Sequence, residues 1–478
     1  MNKFLLLAAL ASAAATQPIN AETKYYAGNP ENVMGLLGGI SGNGQYAVVS
    51  DEENNYSYMW NLDNPTDFVE IRDKSLLYDV ADNGLSVGAI FSGTQYRAAI
   101  YNNGQWTQLA SHPDVMNEQY AICVTADAKI ISGYEFDFSA DAEQGGRYYP
   151  VVWTLNESTG EYDLIKFNDL VLPPHQGFIT ECMTADGKYI GGRLYCAFNS
   201  EIPAIIDVEN HEIKYWNNLE VRLEPWMYKG KYEGRDENGK QIWLDDIDDP
   251  QITLYEEYYI DGLHNNSDET AFTGEFIGAD VQGNLYGYRT ILLNVSDDGK
   301  TGTLQSGACV YNVNTDHFTD FGGITTFSLG YDNATKLFAD NAQMVTINDN
   351  GTATSESILD ALDFSTSDDI SAVTKGSADG KVIGGIYGIF NAAKQAPDYF
   401  PFIIVLDEAI AGISEIAVDH GSNIMILTGA GRIEVANANN VAVYDLGGKL
   451  ISSSASSYVK PGIYVVKADK VSKKVIVK

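Results

Sequence analysis

Cysteine, proline and basic residues are scarce in this chain. Its 478 residues include 4 Cys, 13 Pro and 30 Lys plus Arg, against 65 Asp plus Glu, which gives a formal charge of −35. Such an acidic balance argues against nucleic acid or an anionic membrane surface as a partner, because phosphate groups would be repelled. The four cysteines include no Cys-x-x-Cys pair, so the sequence predicts no thiolate metal site.

Motifs for catalysis or cofactor binding are also missing. His211-Glu212 lacks the second histidine of a zinc protease helix, and none of the six histidines lies within four residues of another. The acidic stretch from 235 to 249 fails the ligand spacing of a calcium-binding EF-hand. We interpret this stretch as solvated charge, and we predict no metal ion and no cofactor.

Long apolar runs are confined to the N-terminus. Lys3 precedes an apolar run from Phe4 to Ala15, and a plausible cleavage point follows Ala21. This order is typical of a signal peptide, and the run is too short for a membrane anchor, which needs about 20 apolar residues. We predict a signal peptide over 1–21, no transmembrane anchor, and a secreted protein.

Repetition is the most prominent feature of the remaining chain. The sequence TADGKYIGG at 184–192 returns as SADGKVIGG at 377–385. Asp-Gly or Asn-Gly between β-rich runs is a strong hairpin signal, because a type I′ turn needs positive φ at both central residues. The residues after each turn alternate between polar and apolar, which predicts a half-buried strand.

Seven such turns can be traced along the chain. They are Asn43-Gly44, Asn83-Gly84, Asp127-Ala128, Asp186-Gly187, Asp268-Glu269, Asn341-Ala342 and Asp379-Gly380. Further apolar runs follow most of them, so each unit holds about four short strands, the content of one β-propeller blade. We predict an all-β protein in which 22–408 form a propeller of about seven four-stranded blades. Six or eight blades, or a solenoid of repeats, are the alternatives.

The repeats resemble the extracellular units called HAF repeats, in which an Asx-Gly turn and a strand ending in Val-Gly precede an apolar strand with Trp. NGLSVGA and DGKYIGG match the first part, and YMWNL and VVWTL match the second. The resemblance spans about 36–408 and implies a propeller, not an activity. No repeat has the residue between Asp and Gly that the sialidase Asp-box requires.

The last 70 residues differ in charge from the rest. Residues 409–478 hold 5 acidic and 8 basic side chains, net +3, which leaves 60 acidic and 22 basic before them, net −38. Short alternating strands divided by Gly, Asn and Ser predict a small immunoglobulin-like β-sandwich after a domain boundary.

Three motifs of this segment resemble the C-terminal sorting domain of the type IX secretion system of Bacteroidetes. They are VAVYDLGGKLI at 441–451, VKPGIYVVKAD at 459–469 and the terminal KKVIVK. The matching residues are Tyr444, Asp445, Gly448, Lys449, Gly462, Tyr464 and Lys478. The resemblance implies export across the outer membrane by the secretion machinery. An ordinary terminal immunoglobulin-like module is the alternative.

The position four residues before each turn is occupied by residues of different chemical types. The residues four before each turn are Gly39, Asp79, Cys123, Cys182, His264, Leu337 and Lys375. Asp79, His264 and Lys375 are predicted to line a pocket at the channel mouth, although solvated strand ends would give the same pattern. Cys123 and Cys182 should lie on adjacent inner strands as buried small residues rather than as a disulfide. The disulfide state of all four cysteines, Cys196 and Cys309 included, stays open.

An insertion near 217–263 separates the fourth and fifth units. It is rich in aromatic residues, and the candidate ligand contacts are Trp226, Tyr228, Tyr232 and Trp243. Aromatic faces stack on sugars or anchor protein partners. An Asn238-Gly239 hairpin that pairs Asp236 with Gln241 is predicted, and its rings either bind ligand or cover the propeller rim.

Together these features favour a secreted or surface-displayed binding propeller for a glycan or a protein. The alternative is an extracellular glycan-degrading hydrolase or lyase with carboxylates at the channel mouth. Two convergent carboxylates about 5 to 10 Å apart would favour the enzyme, and a shallow aromatic face would favour binding.

Overall fold

The computed structural model describes most of the chain from residue 23 onward. The described ranges are 23–27, 34–51, 53–62, 67–111, 117–138, 146–171, 177–195, 201–216, 231–235, 241–244, 274–293, 303–348, 352–362, 366, 368–406, 410, 416–418, 425–429, 432–436, 438, 440–445, 449–460, 462–469 and 471–477. The predicted signal peptide lies outside them. Nearly all of the regular structure is β-strand, so the protein is all-β as expected.

Four antiparallel units of four strands come first, and one parallel pair, Tyr148 with Gly177, joins the third and fourth units in a single sheet. Unit 1 comprises β2 (Leu36–Ile40), β3 (Tyr46–Asp51), β4 (Tyr56–Asn61) and β5 (Asp67–Ile71). Unit 2 comprises β6 (Ser75–Val80), β7 (Ser86–Ser92), β8 (Gln95–Asn102) and β9 (Gln105–Gln108). Unit 3 comprises β10 (Asn117–Val124), β11 (Ile130–Asp137), β12 (Arg147–Asn156) and β13 (Glu161–Lys166). Unit 4 comprises β14 (Gly177–Met183), β15 (Tyr189–Tyr195), β16 (Glu201–Asp207) and β17 (Glu212–Tyr215).

Three further units follow a short hairpin of β18 (Lys231–Arg235) and β19 (Gln241–Leu244). Unit 5 comprises β20 (Gly274–Ala279), β21 (Asn284–Leu293), β22 (Thr303–Asn312) and β23 (His317–Gly322). Unit 6 comprises β24 (Phe327–Tyr331), β25 (Lys336–Ala339), β26 (Gln343–Ile347) and β27 (Ala353–Ser357), followed by α1 (Ile358–Ala361). Unit 7 comprises β28 (Asp369–Gly376), β29 (Val382–Asn391), β30 (Ala396–Leu406) and the N-terminal strand β1 (Thr23–Ala27).

The units are arranged in a closed circle. The first strand of every unit contacts the first strand of the next, and β28 of unit 7 contacts β2 of unit 1. Each junction between neighbours has its own apolar core; Trp60 supports the junction of units 7 and 1, and Trp153 supports that of units 2 and 3. A circle of four-stranded antiparallel sheets packed face to face is a β-propeller.

The closure of the circle uses both ends of this region. β1 is the outermost strand of unit 7 and pairs antiparallel with β30, with Thr23 opposite Leu406 and Ala27 opposite Ile403. Residues that lie at opposite ends of the propeller sequence therefore share one sheet. This pairing covers an edge of β30 that would otherwise present unpaired backbone groups.

Four of the Asx-Gly turns occupy equivalent positions, as the repeat predicts. Gly44, Gly84, Gly187 and Gly380 all lie between the first and second strands of their units, with φ of +70° to +82°. The predicted type I′ geometry is wrong, because the preceding Asn or Asp is not among the residues with positive φ. Instead Gly44 N–H donates to the carbonyl of Ser41 at 2.8 Å, so the four residues from Ser41 to Gly44 form a turn that ends in a left-handed glycine.

A hydroxyl precedes three of these four turns, at Ser41, Thr184 and Ser377, and it explains why the phrase is repeated; Ala81 has the same position before Gly84. Thr184 Oγ1 donates to Asp186 Oδ1 at 2.8 Å and accepts from the backbone N–H of Tyr189 at 3.1 Å. Ser377 makes the same two contacts with Asp379 and Val382. The shared chemistry of the repeat is thus a side-chain clamp that holds the turn closed.

The predicted turns of units 5 and 6 are misplaced. In unit 5 the first turn lies between Ala279 and Asn284, where Asp280 accepts from two backbone N–H groups, whereas the predicted turn at 268–269 lies outside the described residues. In unit 6 the first turn lies between β24 and β25, and Asn341-Ala342 joins β25 to β26 instead. Both true turns lack an Asx-Gly pair, so the search for that pair missed them.

The C-terminal segment forms two four-stranded sheets. One contains β31 (Ile416–Val418), β32 (Met425–Gly429), β33 (Arg432–Ala436) and β36 (Ser456–Tyr458). The other contains β34 (Val441–Asp445), β35 (Leu450–Ser452), β37 (Gly462–Ala468) and β38 (Val471–Val477). Buried side chains from both sheets, such as Ile433 and Val466, share one core.

Candidate functional site

A cavity of about 490 Å³ occupies the centre of the circle. Its wall is built from the first strands of the units and the turns that follow them. Every first strand carries a β-bulge near its middle, which re-aims one side chain and bends the strand. Asp79 and Lys375 both line this cavity, so the structure brings together two of the three residues predicted there.

The third predicted member, His264, lies outside the described residues. Because the turns of units 5 and 6 are elsewhere, the positions equivalent to Asp79 in those units are Gly278 and Leu329, which follow the bulges of β20 and β24. Leu337, the predicted equivalent in unit 6, is instead a fully buried residue of β25.

Asp79 is held rigidly in the cavity wall. Its Oδ1 accepts from the N–H of Val80 and its Oδ2 from the N–H of Val124 in unit 3, both at 2.9 Å. Burial raises the pKa of Asp79 to about 6, although Lys375 and the two N–H groups favour the charged form. The carboxyl group therefore titrates near physiological pH.

Glu181 is a second carboxyl in the cavity wall, and the sequence analysis missed it. It is the bulged residue of β14, directly before Cys182, and burial raises its pKa to about 7 against the opposing effect of Arg193. The sequence does contain a signal for this residue, because Glu181 lies inside the apolar run GFITECM and a charged residue is seldom buried in a strand without a partner or a function.

Lys375 is the only basic side chain among the described residues of the cavity wall. Its charge lowers the pKa of Asp79, Glu181 and Cys123, yet it makes no ion pair within 4.0 Å among the described residues. The acidic residues of the wall are Asp79, Asp82, Asp127, Glu181, Asp280 and Asp332. The cavity therefore has a strongly negative lining.

The guanidinium of Arg193 on β15 lies among three carboxylates, and Glu181 is one of them. One terminal nitrogen lies 3.0 Å from Glu275 and 3.3 Å from Glu201, and the other lies 3.4 Å from Glu181. Burial raises the pKa of Glu275 as well, and the charge of Glu201 adds to this rise, whereas Arg193 opposes it.

A row of partly exposed tyrosines extends from this cluster across units 4, 3 and 2. We call it the tyrosine band, and its members are Tyr195, Tyr148, Tyr134, Tyr120 and Tyr96. Successive ring centroids are 5.9, 5.8, 5.2 and 5.8 Å apart, and the Arg193 guanidinium lies 5.6 Å from the ring of Tyr195. Such spacings are those of packed aromatic rings, so the band is a continuous surface.

The band lies toward one end of the propeller. We call it the hairpin end, because the second and third strands of each unit are joined there. Exposed apolar residues gather at the same end, Phe390 with 65% of its surface exposed among them. The others are Leu36, Phe91, Phe138, Ile389 and Tyr399. Exposed apolar surface in one place is typical of an interaction site.

The aromatic insertion lies largely outside the described residues, which exclude Trp226 and Tyr228. The backbones of Tyr232 and Trp243 are directly opposed in the hairpin of β18 and β19. The predicted pairing of Asp236 with Gln241 is wrong, because Gln241 pairs with Arg235 and a bulge follows in β18. The side chains of this hairpin also lie outside the described part of the chain.

Three cysteines are free thiols. Cys123 and Cys182 lie on the first strands of units 3 and 4, the adjacent inner strands that the repeat predicts, and Cys309 is free in unit 5; Cys182 is buried and Cys123 is half-buried. Burial raises the pKa of the Cys123 thiol to about 12, so this sulfur is protonated and unreactive at neutral pH. Cys196 lies outside the described residues.

The predicted sorting residues lie on the second C-terminal sheet where they are described. Tyr444 of β34 is opposite Val465 of β37, and the Tyr464 hydroxyl donates to the carbonyl of Lys460 at 2.8 Å. Gly462 begins β37 opposite Val477, Asp445 ends β34, and Lys449 is exposed. Gly448 and Lys478 lie outside the described residues.

Neither a metal centre nor a membrane-spanning helix is found within the described ranges. No three His, Cys, Asp or Glu side chains there are grouped to hold a metal ion. No helix in that part of the chain is both long and apolar enough to cross a membrane.

Comparisons with known proteins give no close relative. No family model matches the chain, and no curated protein matches it. Among solved structures, it is similar to virginiamycin B lyase from Staphylococcus aureus, with 9% identity and a TM-score of 0.34 over 80% of this chain and 98% of that one. It is also similar to the periplasmic gluconolactonase PpgL of Pseudomonas aeruginosa, with 10% identity and a TM-score of 0.28 over 82% and 99%. The β-propeller domain of Cps50 (Swd1) from Myceliophteria thermophila gives 9% identity and a TM-score of 0.30 over 67% and 81%. Scores this low carry no functional argument, and the fold assignment depends on the circle of sheets.

Proposed function

We propose that this protein is a secreted or cell-surface binding protein that engages a glycan or protein ligand through the hairpin end of a seven-bladed propeller. The observation that carries the proposal is the tyrosine band, a continuous aromatic surface with partly exposed rings. Tyrosine gives a large and rigid contact area, and its hydroxyl reaches polar groups of a ligand or water. Each of the seven units is then one blade.

Export is the second part of the proposal. Residues 409–478 act as a type IX sorting domain, because the motifs and their order match that family and the segment has its own two-sheet core. The propeller then reaches the cell surface or medium by way of the periplasm. Deletion of 411–478 should leave a folded propeller in the periplasm, and equal surface exposure of the truncated and intact proteins would contradict this role.

A glycan-degrading enzyme is the second candidate, and one observation favours it. Asp79 and Glu181 line the same cavity, and burial raises the pKa of Asp79 to about 6 and of Glu181 to about 7. Carboxyl groups with such values are suited to general acid catalysis at neutral pH. The cavity would then be an active site and the tyrosine band a path for the polymer.

One experiment separates the two candidates. The intact protein is applied to a glycan array and a peptide array, and the same polysaccharides are analysed for shortened products. We expect binding without cleavage, and a loss of about tenfold or more in affinity for Tyr120→Ala and Tyr134→Ala, which corresponds to roughly 1 to 3 kcal/mol. Tyr458→Ala is the matched control, because Tyr458 is exposed on the C-terminal sheet. Unchanged binding by both band variants would overturn the proposal, and shortened products absent from Asp79→Asn would favour the enzyme.

A further inference from the structure

The charges around the tyrosine band are unbalanced. The Tyr120 hydroxyl donates to Glu118 at 3.0 Å, and Glu181, Glu201 and Glu275 surround the single Arg193. Burial raises the pKa values of Tyr120, Tyr134, Tyr148 and Tyr195, and the charged groups that act on one or more of them are Glu118, Glu181, Glu201 and Arg193. In the ionised state, this surface therefore has an excess of three negative charges.

Both components of this surface attract cations. The face of a tyrosine ring carries negative quadrupole density, which favours an ammonium or guanidinium group within about 6 Å of its centre. Arg193 already occupies such a position over Tyr195, at 5.6 Å, so the surface supports this geometry within its own chain. Burial opposes ionisation of Glu181 and Glu275, and a ligand cation beside them would relieve that penalty.

The shape of the surface favours a polypeptide over a small amine. The band has four successive ring spacings of 5.2 to 5.9 Å, which is long enough for several residues of an extended chain at about 3.3 Å each. Apolar side chains lie at its margin. The ring centroid of Phe91 is 5.4 Å from that of Tyr96, and the ring centroid of Phe136 is 4.4 Å from that of Tyr148. A bound segment could place apolar side chains there on either side of a basic residue.

Long-range charge acts in the same direction. The chain before residue 409 has a net charge of −38, from 60 acidic and 22 basic residues. A field of this sign accelerates the approach of a basic segment and repels an acidic one.

We propose that the tyrosine band is the docking site for an extended basic segment of a partner polypeptide, with a Lys or Arg side chain held against the tyrosine faces and the carboxylates around Arg193. This inference rests on the proposed binding function and names its ligand class. A neutral glycan on the same rings is the outcome that would replace it.

The test uses a fluorescent decapeptide library in which Lys, Arg, their neutral counterparts Gln and citrulline, and apolar residues vary in a Ser background. The intact protein should select peptides with Lys or Arg flanked by apolar residues, and replacement of that basic residue by Gln or citrulline should weaken binding tenfold or more. Glu275→Gln should weaken binding of the same peptide to a similar extent. Tyr134→Phe should retain binding, and Tyr134→Ala should lose it, with thermal melts of each variant to confirm folding.

Glu157→Gln is the matched control because it removes the same charge far from the band, where Glu157 pairs with Lys129 on unit 3. Equal losses for Glu275→Gln and Glu157→Gln would mean that only net charge attracts the peptide, which would overturn the inference. Failure to select basic peptides, combined with a neutral glycan whose binding is lost in Tyr134→Ala, would overturn the inference and leave the proposed function intact. If the intact protein binds no glycan on the glycan array and no peptide of the library or the peptide array, both this inference and the proposed function are overturned.

Discussion

Gly39 and Asp79 lie on neighbouring first strands with no room between them for a side chain at position 39. A Cβ on Gly39 would be 2.4 Å from Oδ1 and 2.8 Å from Cα of Asp79. The carboxylate that faces the cavity is therefore positioned by the absence of a side chain in unit 1 as well as by the two N–H groups that it accepts from.

This relationship predicts a non-additive pair of substitutions. Gly39→Ala should destabilise the protein by about 1 to 3 kcal/mol, because the new methyl group must displace a neighbouring strand. Asp79→Ala removes the closest atom but leaves the clash with the backbone of that strand, so the double variant should recover part of the loss. Urea unfolding of the four proteins measures the coupling. Gly388→Ala, whose Cβ would come no closer than 3.3 Å to another atom and would meet only side chains there, is the control and should cost less than Gly39→Ala.

The turn clamp predicts a clear difference between two substitutions at Thr184. Thr184→Ala removes the hydroxyl that bonds Asp186 and Tyr189, and it should cost about 1 to 3 kcal/mol because the partly buried N–H of Tyr189 loses its acceptor. Thr184→Ser should be nearly neutral, since serine holds the equivalent turn at Ser377. Melting temperatures of both variants check this, and similar losses in both would show that the methyl group, not the hydroxyl, stabilises the turn.

Asp79 predicts a pH dependence of stability with a definite sign. Its pKa rises from 3.8 to about 6 on folding, so the folded state binds the proton more tightly. Its contribution to the free energy of unfolding is full below about pH 4 and is lost as the pH rises through 6, by about 1 to 3 kcal/mol. Asp79→Asn should therefore flatten the stability profile between pH 4 and 7. The exposed Asp369 provides the control Asp369→Asn, and identical profiles for both variants would contradict the assignment.

The pairing of β1 with β30 predicts which part of the propeller is destabilised when β1 is removed. Deletion of 23–27 should lower the melting temperature and speed amide hydrogen exchange at Ile403–Leu406, because the outer edge of β30 loses its partner. A synthetic peptide of residues 22–28 added in trans should restore protection at those amides, and a scrambled peptide should restore less. Unchanged exchange after the deletion would show that β1 does not close unit 7.

Local chemistry made much of the fold predictable. Four Asx-Gly turns, the related Asp127-Ala128 turn and the apolar third strands identify five units correctly, because these features depend on residues close together in sequence. Units 5 and 6 were mislocated because the left-handed Gly283 of unit 5 follows Gln282 rather than Asn or Asp, and because unit 6 uses a run of positive φ at Asp332, Asn333 and Ala334 in place of glycine. The closure by β1 could not be predicted, since nothing local in Thr23–Ala27 identifies a partner almost 400 residues away.

The candidate site was predicted only in part for the same reason. Asp79 and Lys375 share a repeat position, so a repeat argument places both in the cavity. Glu181 occupies the bulge, one residue out of that register, and Arg193 meets Glu275 only because units 4 and 5 pack together. The tyrosines come from three units with no common spacing in the sequence, so their alignment is a property of the packed sheets.

The pairing of Thr23 with Leu406 has a consequence for how this chain could be rewired. The start of β1 and the end of β30 lie side by side in an antiparallel pair, as the two ends of a hairpin would. A few linker residues from Leu406 to Thr23 would therefore make the propeller a circular polypeptide, and new termini could be opened in any exposed loop. A circular permutant that begins elsewhere would keep every sheet intact, while the segment after Leu406 could be attached to a different blade or left out.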